Sequence, residues 1–357
     1  MIKRKLKSPV FLFLLRKILF YVLTLIVSLT LVWLIPRLMP GDPIKRLVVS
    51  ILVGAGMGGE VGATATATTQ YTVKQAKMLY ELYVKKFGLD KPWYIQYLLM
   101  YKRLFTGDLG KSIMFYPEEV INVISRALPW SLALLVPAII VGWILGNLLG
   151  AYAGYKGGKT DNVLYSAFLF ISQMPYYWFA LVLIYLFAVR LHIFPAAGAY
   201  SVGVVPSLSM TFIIDFLKHY ILPFLSLVLI IIGGQALGMR TMIIYELGSD
   251  YMKYSEMIGL SDKKLVRYAF RNAVLPQITG LAISLASAVS GQIITETVFG
   301  YPGIGYVMYQ AILHEDYPLI EGSFMILIAC VLIMNFIMDI IYAYIDPRIK
   351  AVYAGER

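Results

Sequence analysis

Cysteine is almost absent. The one cysteine, Cys330, lies inside an apolar segment, which excludes a disulfide framework and a cysteine-built metal cluster. Charge is scarce too: 14% of the 357 residues are Asp, Glu, Lys or Arg, where a soluble domain carries about 25%. The three histidines, His192, His219 and His314, are far apart and are expected in outer loops. No HExxH, GxSxG, CxxC or GxxxxGK[ST] occurs. The chain therefore lacks both the polar constellation of a catalytic centre and a loop that cradles nucleotide phosphates. Gly54 to Gly59 spells GxGxxG, but no strand–helix–strand unit surrounds it, and Ala63 to Thr69 reads as flexible linker.

Apolar residues are what the chain has in excess. They make up 59% of it, beyond the roughly 45–50% of a soluble domain, and they fall in runs. The first span covers Ile18 to Ile35, behind Lys3, Arg4, Lys5 and Lys7. It is too long for a signal-peptide core and no small-residue cleavage site follows it. Pro36, Pro40 and Pro43 are expected to end its helix. Five further spans are expected at 130–154, 163–189, 221–244, 277–299 and 322–345, each near the ~20 residues a bilayer needs.

Charge between the spans sets the orientation. Lys156 and Lys159 place loop 155–162 inside, and loop 245–276 is the most basic of all. Loop 300–321 holds Glu315, Asp316 and Glu321 but no Lys or Arg, and is expected outside, as is loop 190–220. Arg348, Lys350 and Arg357 return the tail to the inside. Topology thus explains the net charge of +11 better than nucleic acid does. The expected fold is an all-α polytopic membrane protein with six transmembrane helices and both termini cytoplasmic. Its parts are residues 1–37 (N-terminus and first span), 38–129 (a large extracytoplasmic region between helices 1 and 2) and 130–357 (the core with five spans). Within 38–129, helices are expected over 71–87 and from Trp93 to Phe105.

Loop 249–276, between spans 4 and 5, holds Lys253, Lys263, Lys264, Arg267 and Arg271. Gly259 reads as a break between two short helices, with Ser261 capping the second and Asp262 at its positive end. Lys263, Arg267 and Arg271 then share one stripe, and Leu275-Pro276 marks the turn into the next span. A basic anchor on an anionic membrane surface explains the charge. It does not explain the helix–Gly–helix layout, which reads as a docking element.

Polar side chains inside spans are costly and point to a pathway or a partner helix. Span 277–299 is richest in them, with Ser284, Ser287, Ser290, Gln292, Thr295 and Glu296. Helix packing accounts for small residues on one face. The candidate pathway residues are Ser287, Gly291, Gln292 and Glu296, with Asn335 (four before Asp339) on the last span. Asn147 and Gln235 read as structural. No span carries the midplane charges of an ion-coupled carrier.

Several separate stretches resemble one known family. Lys253-Tyr-Ser255, Gly259 and Leu275-Pro276 are similar to the EAA loop of ABC-importer permeases, although the literal Glu-Ala-Ala is absent. Arg37-Leu-Met-Pro-Gly-Asp-Pro43, Gly88-Leu-Asp-Lys-Pro92, Gln96-Tyr97, Gly107-Asp-Leu-Gly-Lys-Ser112, Glu296-Thr-Val-Phe-Gly-Tyr-Pro-Gly-Ile-Gly305, Ala311-Ile-Leu, Asp316-Tyr-Pro318 and Asp346-Pro-Arg348 resemble the first permease of dipeptide, oligopeptide and nickel importers. Residues 50–70, rich in Gly, Ala and Thr, are longer than that pattern.

The resemblance implies a plasma-membrane permease subunit for peptides. Its partners would be a second, paralogous permease, two ABC ATPase subunits, an extracytoplasmic solute-binding protein and membrane lipid, with no nucleic acid. The chain would bind no cofactor; ATP and Mg would be used by the ATPases. Tyr254, Ser255, Glu256, Met257, Gly259 and Leu260 would form the ATPase contact, with Glu256 pairing to a basic partner residue. The alternatives are the same machinery importing oligosaccharides or nickel, a self-sufficient channel or secondary carrier, and a membrane enzyme.

Overall fold

The computed structural model describes residues 9–38, 41–54, 65–288 and 292–345. Among them the only regular elements are helices, joined by loops such as 107–119 and 191–209, and the one strand-type pairing is an isolated bridge between Lys111 and Glu119. The helices in chain order are α1 (Pro9–Leu38), α2 (Pro43–Gly54), α3 (Ala65–Phe87), α4 (Trp93–Thr106), α5 (Val120–Lys156), α6 (Gly158–Gln173) and α7 (Tyr176–Leu183, continued by a π-helical turn Ile184–Arg190). They are followed by α8 (Met210–Leu247), α9 (Asp250–Met257), α10 (Asp262–Ser287), α11 (Ile293–Val298), α12 (Ile304–Leu313) and α13 (Tyr317–Ile345).

Among the described residues four helices are long and apolar enough to cross a membrane: Leu15–Leu38, Val120–Lys156, Met210–Leu247 and Tyr317–Ile337. The pair α6 and α7 counts as a fifth if taken as one broken span, for it bends by 100°. A helix satisfies its own backbone groups, so such segments are stable where water is absent. The chain is a multi-pass membrane protein. Its described residues fall into two compact units, one within Met1–Arg126 and Val307–Arg357, the other within Ala127–Tyr306.

In the first unit α1 packs along α13 and α4, with Leu29 and Met100 fully buried. Helices α2 and α3 enclose a smaller core of Ile44, Leu47, Val48 and Ile113, against which Leu79, Tyr83 and Phe87 pack. Asp42 starts α2 by accepting from the amides of Ile44 and Lys45, each at 3.1 Å. Its other oxygen accepts from the Tyr80 hydroxyl at 2.9 Å, and that bond holds the phenol above its ordinary range. The acids Glu315, Asp316 and Glu321, expected in a solvated loop, are instead buried. Asp316 accepts from the Ser112 hydroxyl at 2.5 Å and from the amides of Ile113, Met114 and Leu319 at 2.8 to 3.0 Å. Glu315 pairs with Arg46 and Glu321 with Arg37. A Cβ on Gly41 would lie 2.1 Å from the Glu315 carboxylate, which explains the glycine of Gly41-Asp42-Pro43.

In the second unit, α5 and α8 meet backbone to backbone. Gly142, Gly146, Gly150 and Gly154 recur every fourth residue on α5. A Cβ at those positions would fall 2.7 Å from Ile231, 2.6 Å from Gln235, 2.2 Å from the Ala236 carbonyl and 3.0 Å from the Arg240 carbonyl. Small residues on one face permit this approach, and with it close dispersion contact along both helices. Leu134, Ala138, Leu222, Leu227, Phe299 and Tyr301 belong to the buried core beside it.

Several expectations are corrected. Pro36, Pro129, Pro137, Pro223 and Pro276 lie inside helices. Pro36 therefore does not end α1, and Leu275-Pro276 is no turn: α10 runs unbroken from the basic loop into the expected fifth span. That span stops at Ser287 rather than 299, and α11 follows as a separate short helix. The expected span 163–189 is broken at Met174-Pro175, where the residue before proline leaves the helical region (ψ 134°). The linker reading of 63–69 gives way to helix from Ala65. His219 is buried in α8, not in a loop, with Nδ1 2.8 Å from the Asp215 carbonyl. Residues 55–64, Gly291 and the Asp346-Pro-Arg348 stretch lie outside the described residues, as does the Asp339 side chain.

Candidate functional site

Two features of the second unit stand out, and α10 connects them. The first is the α9–α10 corner. Helix α9 has eight residues, and its Ser249 N-cap position precedes Asp250 in the first turn. Gly259 follows with φ +82°, a left-handed conformation that costs other residues roughly 1–2 kcal/mol. Ser261 stands at the N-cap position of α10, but its hydroxyl makes no capping bond. The corner presents apolar surface: Tyr254 is 66% exposed and Met257 83%, and Ile258 is also exposed. Ser255 and Glu256 lie on the same short helix, the Ser255 hydroxyl bonding back to the Tyr251 carbonyl at 2.7 Å. Leu260 is half-buried against the Met239, Ile243 and Met252 cluster and anchors the corner from within. Tyr251 donates to Glu246 and accepts from the Asn272 amide at 2.8 Å, which ties α9 to α8 and α10.

The second feature is a cavity of about 550 Å³. Helix α5 contributes Leu135 and Trp143, α7 contributes Tyr176, α8 contributes Ile231 and Gln235, and α10 contributes Leu281, Ser284 and Ser287. The wall is mostly apolar, and no lining side chain is charged. Its polar groups are amides and hydroxyls. The Trp143 indole donates to the Gln277 carbonyl at 2.9 Å, which pins α5 to α10. The Tyr176 hydroxyl lies 2.7 Å from that of Ser226. The side-chain oxygen of Gln235 is buried with no hydrogen-bond partner among the described residues.

The structure sorts the candidate pathway residues. Ser287 and Gln292 line the cavity, and Gln292 is exposed. Glu296 does not line it. Its side chain is fully buried and its carboxylate accepts from the Ser131 hydroxyl at 2.7 Å and from the amides of Gln292, Gly305 and Tyr306 at 3.3, 2.7 and 3.1 Å. Ser131 accepts in turn from the Ile304 amide at 2.8 Å. The carboxylate is a tie for the Gly300–Tyr306 segment, and the spacing of Gln292 and Glu296 alone could not reveal this. Asn335 is half-buried on α13, in the first unit. Asn147 is structural, donating to the Trp143 carbonyl at 2.7 Å, whereas Gln235 joins the cavity wall. Sequence reasoning missed Trp143, Tyr176 and the glycine stripe, although the four-residue recurrence of glycine was a readable signal for the last.

Residues 146–351 match the family described as binding-protein-dependent transport system inner membrane component. The chain belongs to this family. The matched region takes in the α9–α10 corner and the cavity wall from α7, α8 and α10, and begins within the glycine stripe, after Leu135 and Trp143 of α5. The chain is similar along most of its length to named permeases. An oligopeptide transport system permease protein of Bacillus subtilis is 30% identical, with 89% of this chain and 99% of that protein covered. A di/tripeptide transport system permease protein of Pseudomonas aeruginosa is 29% identical over 88% and 91%. An oligopeptide transport system permease protein of Haemophilus influenzae is 32% identical over 74% and 83%. The first unit is thus a part of this permease type and not an appendage peculiar to this chain.

Proposed function

We propose that this permease is one of two paralogous membrane subunits of an ATP-driven importer of peptides. A solute-binding protein would deliver the peptide from outside, and two ATPase subunits would dock from the cytoplasm. The four apolar helices, the bent α6–α7 pair and α10 make the six spans of this reading. The basic α9–α10 loop and both termini then face the cytoplasm.

The observation that carries the reading is the continuity of α10. One helix of 26 residues holds Gly259's corner at its start and Leu281, Ser284 and Ser287 of the cavity at its end. The exposed Tyr254 and Met257 give an ATPase cleft an apolar grip, with Ser255, Glu256, Gly259 and Leu260 shaping the contact. Movement received there reaches the cavity without crossing a loop. An uncharged wall with amide and hydroxyl groups suits peptides, whose backbone groups can pair transiently with it and leave. Ser287 and Gln292 are the pathway contacts in this scheme. ATP and Mg are used by the partner subunits.

The test is affinity purification of the chain from its native membrane, followed by identification of its companions. A second permease, two ATPases and a binding protein are expected, the last retaining peptides in preference to oligosaccharides. Recovery of the chain alone, with solute flux in vesicles containing only this chain, would overturn the reading in favour of a channel or carrier.

A further inference from the structure

A second groove, of about 320 Å³, opens between the first turns of α10 and the last turns of α5. Its apolar wall is Leu148 and Tyr152 on α5 and Val266 and Phe270 on α10, and Leu148 and Tyr152 are exposed. Ala151, Tyr155, Lys263 and Arg267 complete the lining. The two cations stand one helical turn apart on one face. Neither forms an ion pair with a described residue. Asp262 and Glu256 lie near Tyr155, which also lines the groove.

Apolar surface leading to two cations without ion-pair partners among the described residues is the inverse of a phospholipid with an anionic headgroup. The groove also lies near the end of α5, a helix long and apolar enough to cross a membrane. A solute passage has no use for exposed Leu148 beside cations, and a purely electrostatic membrane anchor has no use for a groove. We propose that this groove is a binding site for an anionic phospholipid, with the phosphate between Lys263 and Arg267 and an acyl chain along Leu148, Tyr152, Val266 and Phe270. The site rests on the membrane reading of α5 and is independent of what the permease transports. It places a bound lipid beside the α9–α10 corner, so membrane composition would bear on coupling.

The test is native mass spectrometry of the full chain, purified in non-ionic detergent and offered equal amounts of phosphatidylglycerol and phosphatidylethanolamine. Wild-type protein is expected to keep phosphatidylglycerol in clear excess; equal retention of the two would overturn the proposal without need of any variant. Each cation near an anionic headgroup strengthens binding roughly fivefold, so Lys263→Ala/Arg267→Ala is expected to lose about twenty-five-fold. Lys264→Ala, adjacent but outside the groove, is expected to keep wild-type retention. A double variant that retains lipid like wild type, or an equal loss in Lys264→Ala, would also overturn it. Glycerol phosphate, which lacks acyl chains, is expected not to displace the lipid; effective displacement would refute the acyl part of the site.

Discussion

The hydroxyl of Ser131 donates to the carboxylate of Glu296 at 2.7 Å, across 165 residues of sequence. The same carboxylate takes three backbone amides, and the Ser131 oxygen takes a fourth. Glu296→Ala would strip the Ser131 hydroxyl and the three amides of their acceptor in a largely buried site, at about 1–3 kcal/mol for each one left unsatisfied. The expected result is a loss of at least about 3 kcal/mol of stability, read as a lower melting temperature in detergent. Glu296→Gln keeps the shape but turns one acceptor into a donor, and is expected to fall between. Unchanged melting with abolished transport would mean that Glu296 serves the pathway after all.

Gly259 stands at φ +82° with open space where a Cβ would sit. Val at this position is therefore opposed by backbone strain alone, about 1–2 kcal/mol, which the corner can relieve by shifting. Gly259→Val is expected to leave expression and melting close to wild type while ATP hydrolysis by the assembled importer no longer drives uptake. Parallel ATPase and transport assays on the same vesicles check this; normal coupling would remove Gly259 from the docking role.

The glycine stripe can be tested against its own control. A Cβ at Gly150 would meet the Ala236 carbonyl at 2.2 Å, a backbone atom that cannot step aside, whereas a Cβ at Gly280 meets nothing within 4 Å. Gly150→Val is expected to prevent accumulation of folded protein. Gly280→Ala is expected to be neutral or to stabilise by up to about 1 kcal/mol through helix propensity. Size-exclusion profiles of the two variants distinguish them.

Arg37 and Glu321 form a largely buried pair, and Gln96 adds a longer bond to the guanidinium at 3.3 Å. Removing one charge strands the other, so Arg37→Met or Glu321→Leu alone should each cost about 3–5 kcal/mol. The double variant should recover most of that loss, because an apolar pair suits the site. Four melting curves complete the cycle; additive losses would show that the two charges act separately.

Much of the architecture was legible because apolar runs report membrane helices directly. α1, α5, α8 and α13 were each visible in outline, and Gly259 does separate two helices. Proline was the main source of error. Pro36 and Pro276 read as stops by rules drawn from water-exposed helices, yet both sit inside helices, as membrane segments permit. At Met174-Pro175 the opposite happened: hydropathy hid a break that the proline marked. The buried acids were illegible for another reason. Nothing in Glu315, Asp316 or Glu321 announces a partner such as Arg46, Ser112 or Arg37, which lie more than 200 residues away. The cavity wall is likewise a product of packing: Trp143, Tyr176 and Ser287 come from three helices, and only the polar residue among them stood out in sequence.

Pro276 gives α10 a property that its length conceals. Proline has no amide hydrogen, so the rung to the Asn272 carbonyl is missing. A helix with every rung bends like a beam, gradually along its length; one with a missing rung flexes at a point. The weak point falls at Asn272, whose side chain is held by Tyr251 of α9. The cavity-lining half beyond it is about 16 Å long, so ten degrees of flexure there swings its tip by roughly 3 Å. That is about the width of a water molecule, so flexure at the missing rung would make α10 a jointed arm, gripped at its elbow by the Tyr251–Asn272 bond.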